Sequence, residues 1–274
     1  MRAWLILVAL TAPNLALAAP RLEIRGAAAH VTIIPEKRAD IGVSVIRKSR
    51  ALPVRVFQAG DVTVIDGGLD HRVKGCPRLA GGLGVRVKGV GNIAADAIPN
   101  IVVRVPADAR VTVGDAVSGE IDRAANLEFE NRGCGDWTIA NVGGRLRVNQ
   151  IGSGATRTGR SGSADLSVAG KGAIVTGPIG GTLTAVSSGE GTINVASIDG
   201  SLVARVAGSG GVNITKGAAA TVNASVAGSG SVRFGGGAGG VNASVAGSGV
   251  IVVAHAGGSV AKRVFGSGQI AIGR

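Results

Sequence analysis

Few side chains in this sequence have the types and spacing that catalysis requires. The histidines His30, His71 and His255 are far apart in the chain, and none has a second metal ligand at the usual spacing. The segment DGGLDHR, which begins at Asp66, combines two carboxylates with a histidine, but its glycine pair is typical of a turn between strands. We therefore expect no catalytic residues, no metal site and no cofactor.

The two cysteines, Cys76 and Cys134, form an isolated pair. In an oxidising compartment such a pair most simply forms one disulfide, and two free thiols are the alternative. A metal site is disfavoured because neither cysteine has another Cys or His at ligand spacing.

The charge of the chain is strongly positive and unevenly distributed. The formal net charge is +12, and residues 200–274 contain six basic side chains and no acidic one. This distribution predicts affinity for polyanions such as lipopolysaccharide or an anionic glycan. The alternative is a solvated surface that keeps a sheet protein in solution. A specific nucleic-acid partner is not expected, because aromatic residues for base stacking are scarce. The candidate polyanion-binding residues are Arg205, Lys216, Arg233 and Arg263.

The elements that position these residues repeat along the chain. G-x-G turns recur every 18 to 20 residues, and the segment VNASVAGSG occurs twice, 19 positions apart. Apolar residues occupy fixed offsets before and after each turn, two residues apart, as on one face of a strand. The pattern predicts an all-β fold, a two-sheet parallel β-helix (β-solenoid) with about 19 residues per coil. The first glycines of the turns are Gly133, Gly152, Gly170, Gly189, Gly208, Gly228, Gly247 and Gly266.

The last coil breaks the apolar pattern at Lys262. This residue occupies an inward row that holds alanine in the preceding coils, such as Ala224 and Ala243. A charge at an open sheet edge discourages edge-to-edge association, so we predict that Lys262 caps the solenoid. The alternative is a shift of one residue that turns Ala261 inward and Lys262 outward.

The chain divides into three predicted segments. Residues 1–18 are typical of a signal peptide: Arg2 precedes an apolar run too short to span a bilayer, and Ala16-Leu17-Ala18 is a cleavage motif. Residues 19–109 are predicted to form an irregular all-β N-terminal lobe. Residues 110–274 are predicted to form the repeat solenoid, whose first coil is imperfect. We expect an exported protein, periplasmic or at the cell surface, without a transmembrane segment.

The signal peptide, the PNIVVRVPAD segment from Pro99 and the repeated GSG turns resemble the autotransporter-adhesin head family called GIN domains. The resemblance implies a two-sheet β-superhelix and a role in cell adhesion. The turn at Cys134 departs from the pattern, because it reads GCG where the repeat usually has serine.

These observations favour a non-enzymatic binding or adhesion module of the cell envelope. The first alternative is a structural spacer or oligomeric scaffold without a ligand, and a homo-oligomer remains open. A carbohydrate-active β-helix enzyme is a more remote alternative, because paired carboxylates beside sugar-stacking aromatics are missing.

Overall fold

The computed structural model describes residues 20–79 and 82–274, so the predicted signal peptide lies outside the described residues. Within these ranges the regular secondary structure is β-strand, apart from a 3-10 turn at Ala95–Ala97. The strands are β1 (Arg21–Arg25), β2 (Ala28–Glu36), β3 (Gly42–Arg47), β4 (Arg55–Ala59), β5 (Val62–Asp66), β6 (Val73–Gly75), β7 (Arg78–Leu79), β8 (Gly82–Leu83), β9 (Val85–Val87), β10 (Gly91–Ile93), β11 (Asn100–Pro106), β12 (Asp108–Val113), β13 (Ala116–Ile121), β14 (Asn126–Asn131), β15 (Trp137–Ile139), β16 (Arg145–Gln150), β17 (Ala155–Thr158), β18 (Ser163–Gly170), β19 (Ala173–Ile179), β20 (Leu183–Gly189), β21 (Thr192–Gly208), β22 (Gly211–Gly228), β23 (Ser231–Gly247), β24 (Val250–Ala256), β25 (Val260–Phe265) and β26 (Gln269–Ile272).

Two parallel sheets form the repeat part of the fold. The first sheet contains β12, β14, β16, β18, β20, the second halves of β21 to β23, and β25. The second sheet contains β13, β15, β17, β19, the first halves of β21 to β23, then β24 and β26. Each coil passes from the first sheet to the second through a G-x-G turn, the first corner, and returns through a second corner. The predicted β-solenoid is confirmed, with about nine turns.

Inward-facing side chains fill the space between the two sheets. Phe129, Trp137 and Phe234 are the bulkiest of them, and each is at most 1% exposed. The ring centroids of Phe129 and Trp137 are 5.1 Å apart, and the indole Nε1 of Trp137 donates to the carbonyl of Val117 at 2.9 Å. Because large side chains alternate with the predicted alanine row, the interior is thin and filled. The outer faces and the corners are therefore the surfaces that can accept a ligand.

The first corner takes two forms. From Gly170 onwards, the first glycine of each turn has φ between 112° and 119°, a conformation that favours glycine. At the two preceding turns, buried Asn131 and Gln150 bond to the turn with their side-chain amides instead.

The N-terminal strands join the same stack in a different order from the sequence. β1 pairs in parallel with both β5 and β12, and β2 pairs in parallel with both β11 and β13. The layer formed by β1 and β2 therefore lies between the β5–β11 layer and the first repeat coil. The antiparallel strands β4 and β3 pair with β5 and β11 and cover the backbone edges at this end. The all-β character predicted for this part of the chain is confirmed.

An insertion between β5 and β11 packs against the side of the solenoid. It contains a three-stranded sheet of β10, β9 and β6, and its buried residues Val85, Val87 and Ile93 pack near Ala116 of β13. The predicted disulfide is confirmed: Cys76 of the insertion is bonded to Cys134 of a first-corner turn, with Cα atoms 5.8 Å apart. The two cysteines are 58 positions apart in the sequence. The disulfide restricts the unfolded chain, and in the chain-entropy account this stabilises the fold by about 4 kcal/mol. In the ranges 20–79 and 82–274, no helix has the length and apolar character needed to cross a bilayer.

Candidate binding surfaces

The four basic residues predicted to bind a polyanion lie on three different surfaces. Arg205 and Arg263 lie on the outer face of the first sheet, three coils apart. Arg233 lies on the outer face of the second sheet, and Lys216 lies at the second corner. The offsets from the turn glycines indicate this separation, because Arg205 and Arg263 each come three residues before such a glycine, whereas Arg233 comes five after.

Arg205 and Arg263 border a polar groove of about 400 Å³ on the first sheet. The strands that carry the two arginines are separated by three spacings of about 4.8 Å, or about 14 Å. Between them, two coils present the same amide and hydroxyl groups in register, and Asn242 Nδ2 donates to Asn223 Oδ1 at 3.1 Å. We call this surface the Asn/Ser face. It consists of Arg205, Asn223, Ser225, Asn242, Ser244 and Arg263.

Nearer the N-terminus, the arginines on the outer face of the same sheet are paired with carboxylates. There Arg110 lies 3.5 Å from Glu128, and both Arg145 and Arg147 lie beside Asp165. Among the described residues, by contrast, no carboxylate lies within 4 Å of the guanidinium of Arg205 or Arg263. The Asn/Ser face therefore offers two exposed cations whose charge the protein does not neutralise at close range.

A second concave surface runs along the second corner across five coils. We call it the corner groove, and its volume is about 900 Å³. Val142, Ser161, Ile179 and Ile198 form its floor, but their side chains are buried, and those of Val142, Ile179 and Ile198 belong to the hydrophobic core. The lining residues are 141–143, 160–162, 178–180, 197–199 and 216–218.

The end of the solenoid places Lys262 in the inward register. Lys262 pairs with Ala243, and Ala261 pairs with the outward Asn242. The Lys262 side chain is exposed, and its Nζ lies 3.5 Å from the carbonyl of Ile270 on the other sheet. At the end of the same strand, Phe265 is 69% exposed. The ammonium thus bridges the two sheets at the open end.

The DGGLDHR segment forms a turn against the β1–β2 connection. Gly68 N–H donates to Asp66 Oδ1 at 2.7 Å, and Gly26 N–H donates to Asp115 Oδ2 at 2.9 Å. Burial raises the pKa of Asp115, and the charge of Asp70 raises it further, against the opposing effects of the Gly26 hydrogen bond and His71. Across the described residues, no three His, Cys, Asp or Glu side chains are arranged to hold a metal ion.

No family model and no curated protein sequence matches this chain. Its backbone is similar to the crystal structure of a protein from Parabacteroides distasonis ATCC 8503 to which lipid binding has been ascribed. The two chains are 17% identical, and the superposition has a TM-score of 0.50 and covers 94% of each chain. At this level of identity the likeness shows a shared fold.

Sequence reasoning missed the corner groove. Its floor residues, such as Val142 and Ile179, stand in the Gly-rich segments between the repeat strands, where apolar residues are isolated rather than periodic. The signal available in the sequence was the glycine that follows three of the four floor residues, namely Gly143, Gly162 and Gly180.

Proposed function

We propose that this protein is an exported, non-catalytic binding module of the cell envelope that recognises anionic glycans, including the glycan part of lipopolysaccharide. The observation that carries the proposal is the Asn/Ser face, where two arginines that have no nearby carboxylate in the described part of the chain border a polar groove. The ion pairs elsewhere on the same sheet make this arrangement local rather than a property of the whole surface.

The chemistry of the face fits a charged sugar chain. A guanidinium group binds phosphate, sulfate or carboxylate oxygens through paired hydrogen bonds. The amide groups of Asn223 and Asn242 and the hydroxyls of Ser225 and Ser244 suit sugar hydroxyls, because both groups donate and accept. The arginine separation of about 14 Å matches a ligand whose anionic groups are separated by more than one sugar unit.

Three further observations support the proposal. The Cys76–Cys134 disulfide is typical of an oxidising compartment, as expected after export. The structural neighbour is a protein to which lipid binding has been ascribed, and lipopolysaccharide is a glycolipid. The resemblance of the GSG turns to GIN domains, a family assigned to adhesion, also favours a binding role.

The test is a comparison of two charge-matched double variants. Arg205→Ser/Arg263→Ser removes both cations of the Asn/Ser face, whereas Arg123→Ser/Arg157→Ser removes two exposed cations that lie outside the first sheet. The probes are purified lipopolysaccharide and heparin, measured by surface plasmon resonance at several salt concentrations. We expect the first variant to weaken binding about tenfold or more, because two charge-assisted contacts are lost, and to reduce the dependence on salt.

The control variant separates a defined site from general attraction. It should bind within about twofold of wild type, since its net charge changes equally but neither replaced residue lies on the Asn/Ser face. Equal losses in the two variants would show attraction by net charge alone. Unchanged binding by Arg205→Ser/Arg263→Ser would mean that the Asn/Ser face is only a solvated surface.

A further inference from the structure

We propose that the cleft between the insertion and the solenoid binds a short, extended peptide whose amino group and carboxylate are both charged. We call this surface the insertion cleft. It shares no residue with the Asn/Ser face, so the inference goes beyond the glycan-binding function proposed above.

The insertion cleft presents exposed polar side chains in a concave space. Its volume is about 550 Å³, within the range of small-molecule sites, which occur preferentially between two units of a fold. The insertion contributes Leu83 and Ala95, both partly exposed, to one wall. The opposite wall is the outer face of β2, β13 and β15, which presents His30, Ser118, Glu120 and Thr138.

Strand pairing brings these polar groups close together. His30 of β2 pairs with Ser118 of β13, and Glu120 of β13 pairs with Thr138 of β15. Paired residues stand on strands about 4.8 Å apart. The hydroxyls of Ser118 and Thr138 each donate and accept hydrogen bonds, as the N–H and C=O groups of a peptide require.

Two charges of opposite sign line the cleft, Arg47 and Glu120, and among the described residues neither lies within 4 Å of an opposite charge. Arg47 donates from Nε and Nη2 to the carbonyl of Ile98, at 3.2 and 2.8 Å, which fixes its guanidinium beside the cleft. Glu120 Oε1 accepts from Thr32 Oγ1 at 3.1 Å, and its second oxygen remains available to a ligand. A ligand carboxylate is therefore attracted to Arg47 and a ligand ammonium to Glu120.

The separation of these two charges selects the length of the ligand. β3, β11, β2 and β13 are consecutive neighbours, so Arg47 and Glu120 stand on strands three spacings apart, or about 14 Å. An extended peptide of four residues is about 14 Å long, so its two ends can meet the two charges. A single amino acid is too short to reach both, and a purely anionic glycan satisfies only the arginine.

The test is isothermal titration calorimetry with tetra-alanine, whose small side chains leave recognition to the backbone and the two ends. Dialanine, about half as long, should bind about tenfold more weakly, because it cannot reach both charges. Arg47→Gln should weaken tetra-alanine binding about tenfold or more. The matched control is Arg86→Gln, which removes an exposed arginine of the insertion outside the cleft and should bind within about twofold of wild type.

Blocked peptides assign each end of the ligand. Glu120→Gln should weaken binding of tetra-alanine but not of its N-acetylated form, which has no ammonium group, and Arg47→Gln should not weaken binding of the C-terminal amide. Failure of wild type to bind tetra-alanine, equal binding of dialanine and tetra-alanine, or equal losses in Arg47→Gln and Arg86→Gln would overturn the proposal. Arg205→Ser/Arg263→Ser should bind tetra-alanine as wild type does, so the two proposals fail or succeed separately.

Discussion

The two forms of the first corner predict that the inward residue two positions before the first turn glycine needs a hydrogen-bonding side chain in some coils and not in others. This row holds Asn131 in an early coil, Ser187 in a later one, and valine in most of the others, such as Val206 and Val226. We expect that Asn131→Val destabilises the protein severely, although valine is the most frequent residue of the row. The reason is that the Asn131 side chain supplies hydrogen bonds that a positive-φ glycine turn does not need.

The magnitude follows from the partners of Asn131. Its Oδ1 accepts from Gly133 N–H at 3.0 Å, and its Nδ2 donates to the Gly135 carbonyl at 3.0 Å and to Gln150 Oε1 at 3.2 Å. Gln150 Oε1 keeps a donor, because Thr156 bonds to it at 2.8 Å. Two buried backbone groups lose their partners, at about 1–3 kcal/mol each. Burial of the valine methyl groups offsets about 1–2 kcal/mol of this loss, so the net destabilisation is about 3 kcal/mol.

Ser187→Val is the matched control. Ser187 Oγ donates to the Gly191 carbonyl at 2.7 Å, but that carbonyl also accepts from Gly211 N–H at 3.2 Å and keeps a partner. The turn glycine of this coil, Gly189, has φ 113°, as in the valine coils. The control should change the free energy of unfolding by less than about 1 kcal/mol.

The assay is equilibrium unfolding in urea, followed by the fluorescence of Trp137. This tryptophan is buried one strand after the Asn131 turn, so it reports on unfolding of that region. If the two valine variants lose equal stability, the explanation by turn form is wrong, and the row is simply intolerant of change.

Two further predictions concern charges. Asp115 has a raised pKa in the folded protein, so the folded state holds its proton more tightly than the unfolded state, and its contribution to stability falls as the pH rises through the folded pKa. Asp115→Asn retains an acceptor for Gly26 N–H, so this variant should have a higher Tm at pH 7 and a smaller fall in Tm between pH 4 and pH 7. Parallel Tm curves for the two proteins would contradict this expectation. Lys262→Ala restores the residue type of the preceding coils at the open end and should produce concentration-dependent association in sedimentation velocity, whereas a variant that stays as monodisperse as wild type would show that Lys262 is no cap.

The inward rows of the repeat were predictable because burial imposes a strict period. Leu146, Ile193 and Val232 come at fixed offsets from turn glycines, and all three are fully buried. The insertion of the β1–β2 layer between β5–β11 and β12–β13 was not predictable in this way. Apolar alternation identifies a strand but carries no information on which edge it joins, and the edges of β1 can pair with either neighbour. The corner groove was also missed, because its shape depends on backbone conformation at glycines rather than on a hydrophobic period.

The repeat also explains why the proposed binding surfaces lie outside the rows that define the fold. A solenoid core restricts only the inward positions, so outward and corner positions can change without loss of stacking. In the early coils the outward positions of the first sheet hold ion pairs such as Arg110–Glu128, which satisfy each other. In the late coils the same positions hold an in-register asparagine pair, Asn223 and Asn242, and cations that have no carboxylate neighbour within residues 20–79 and 82–274. Because stacking repeats an outward residue at about 4.8 Å intervals, two copies of VNASVAGSG produce a regular polar surface that a single coil would not. The exact repetition of this segment therefore exceeds what core packing needs, as expected if the Asn/Ser face recognises a repeating glycan as proposed above.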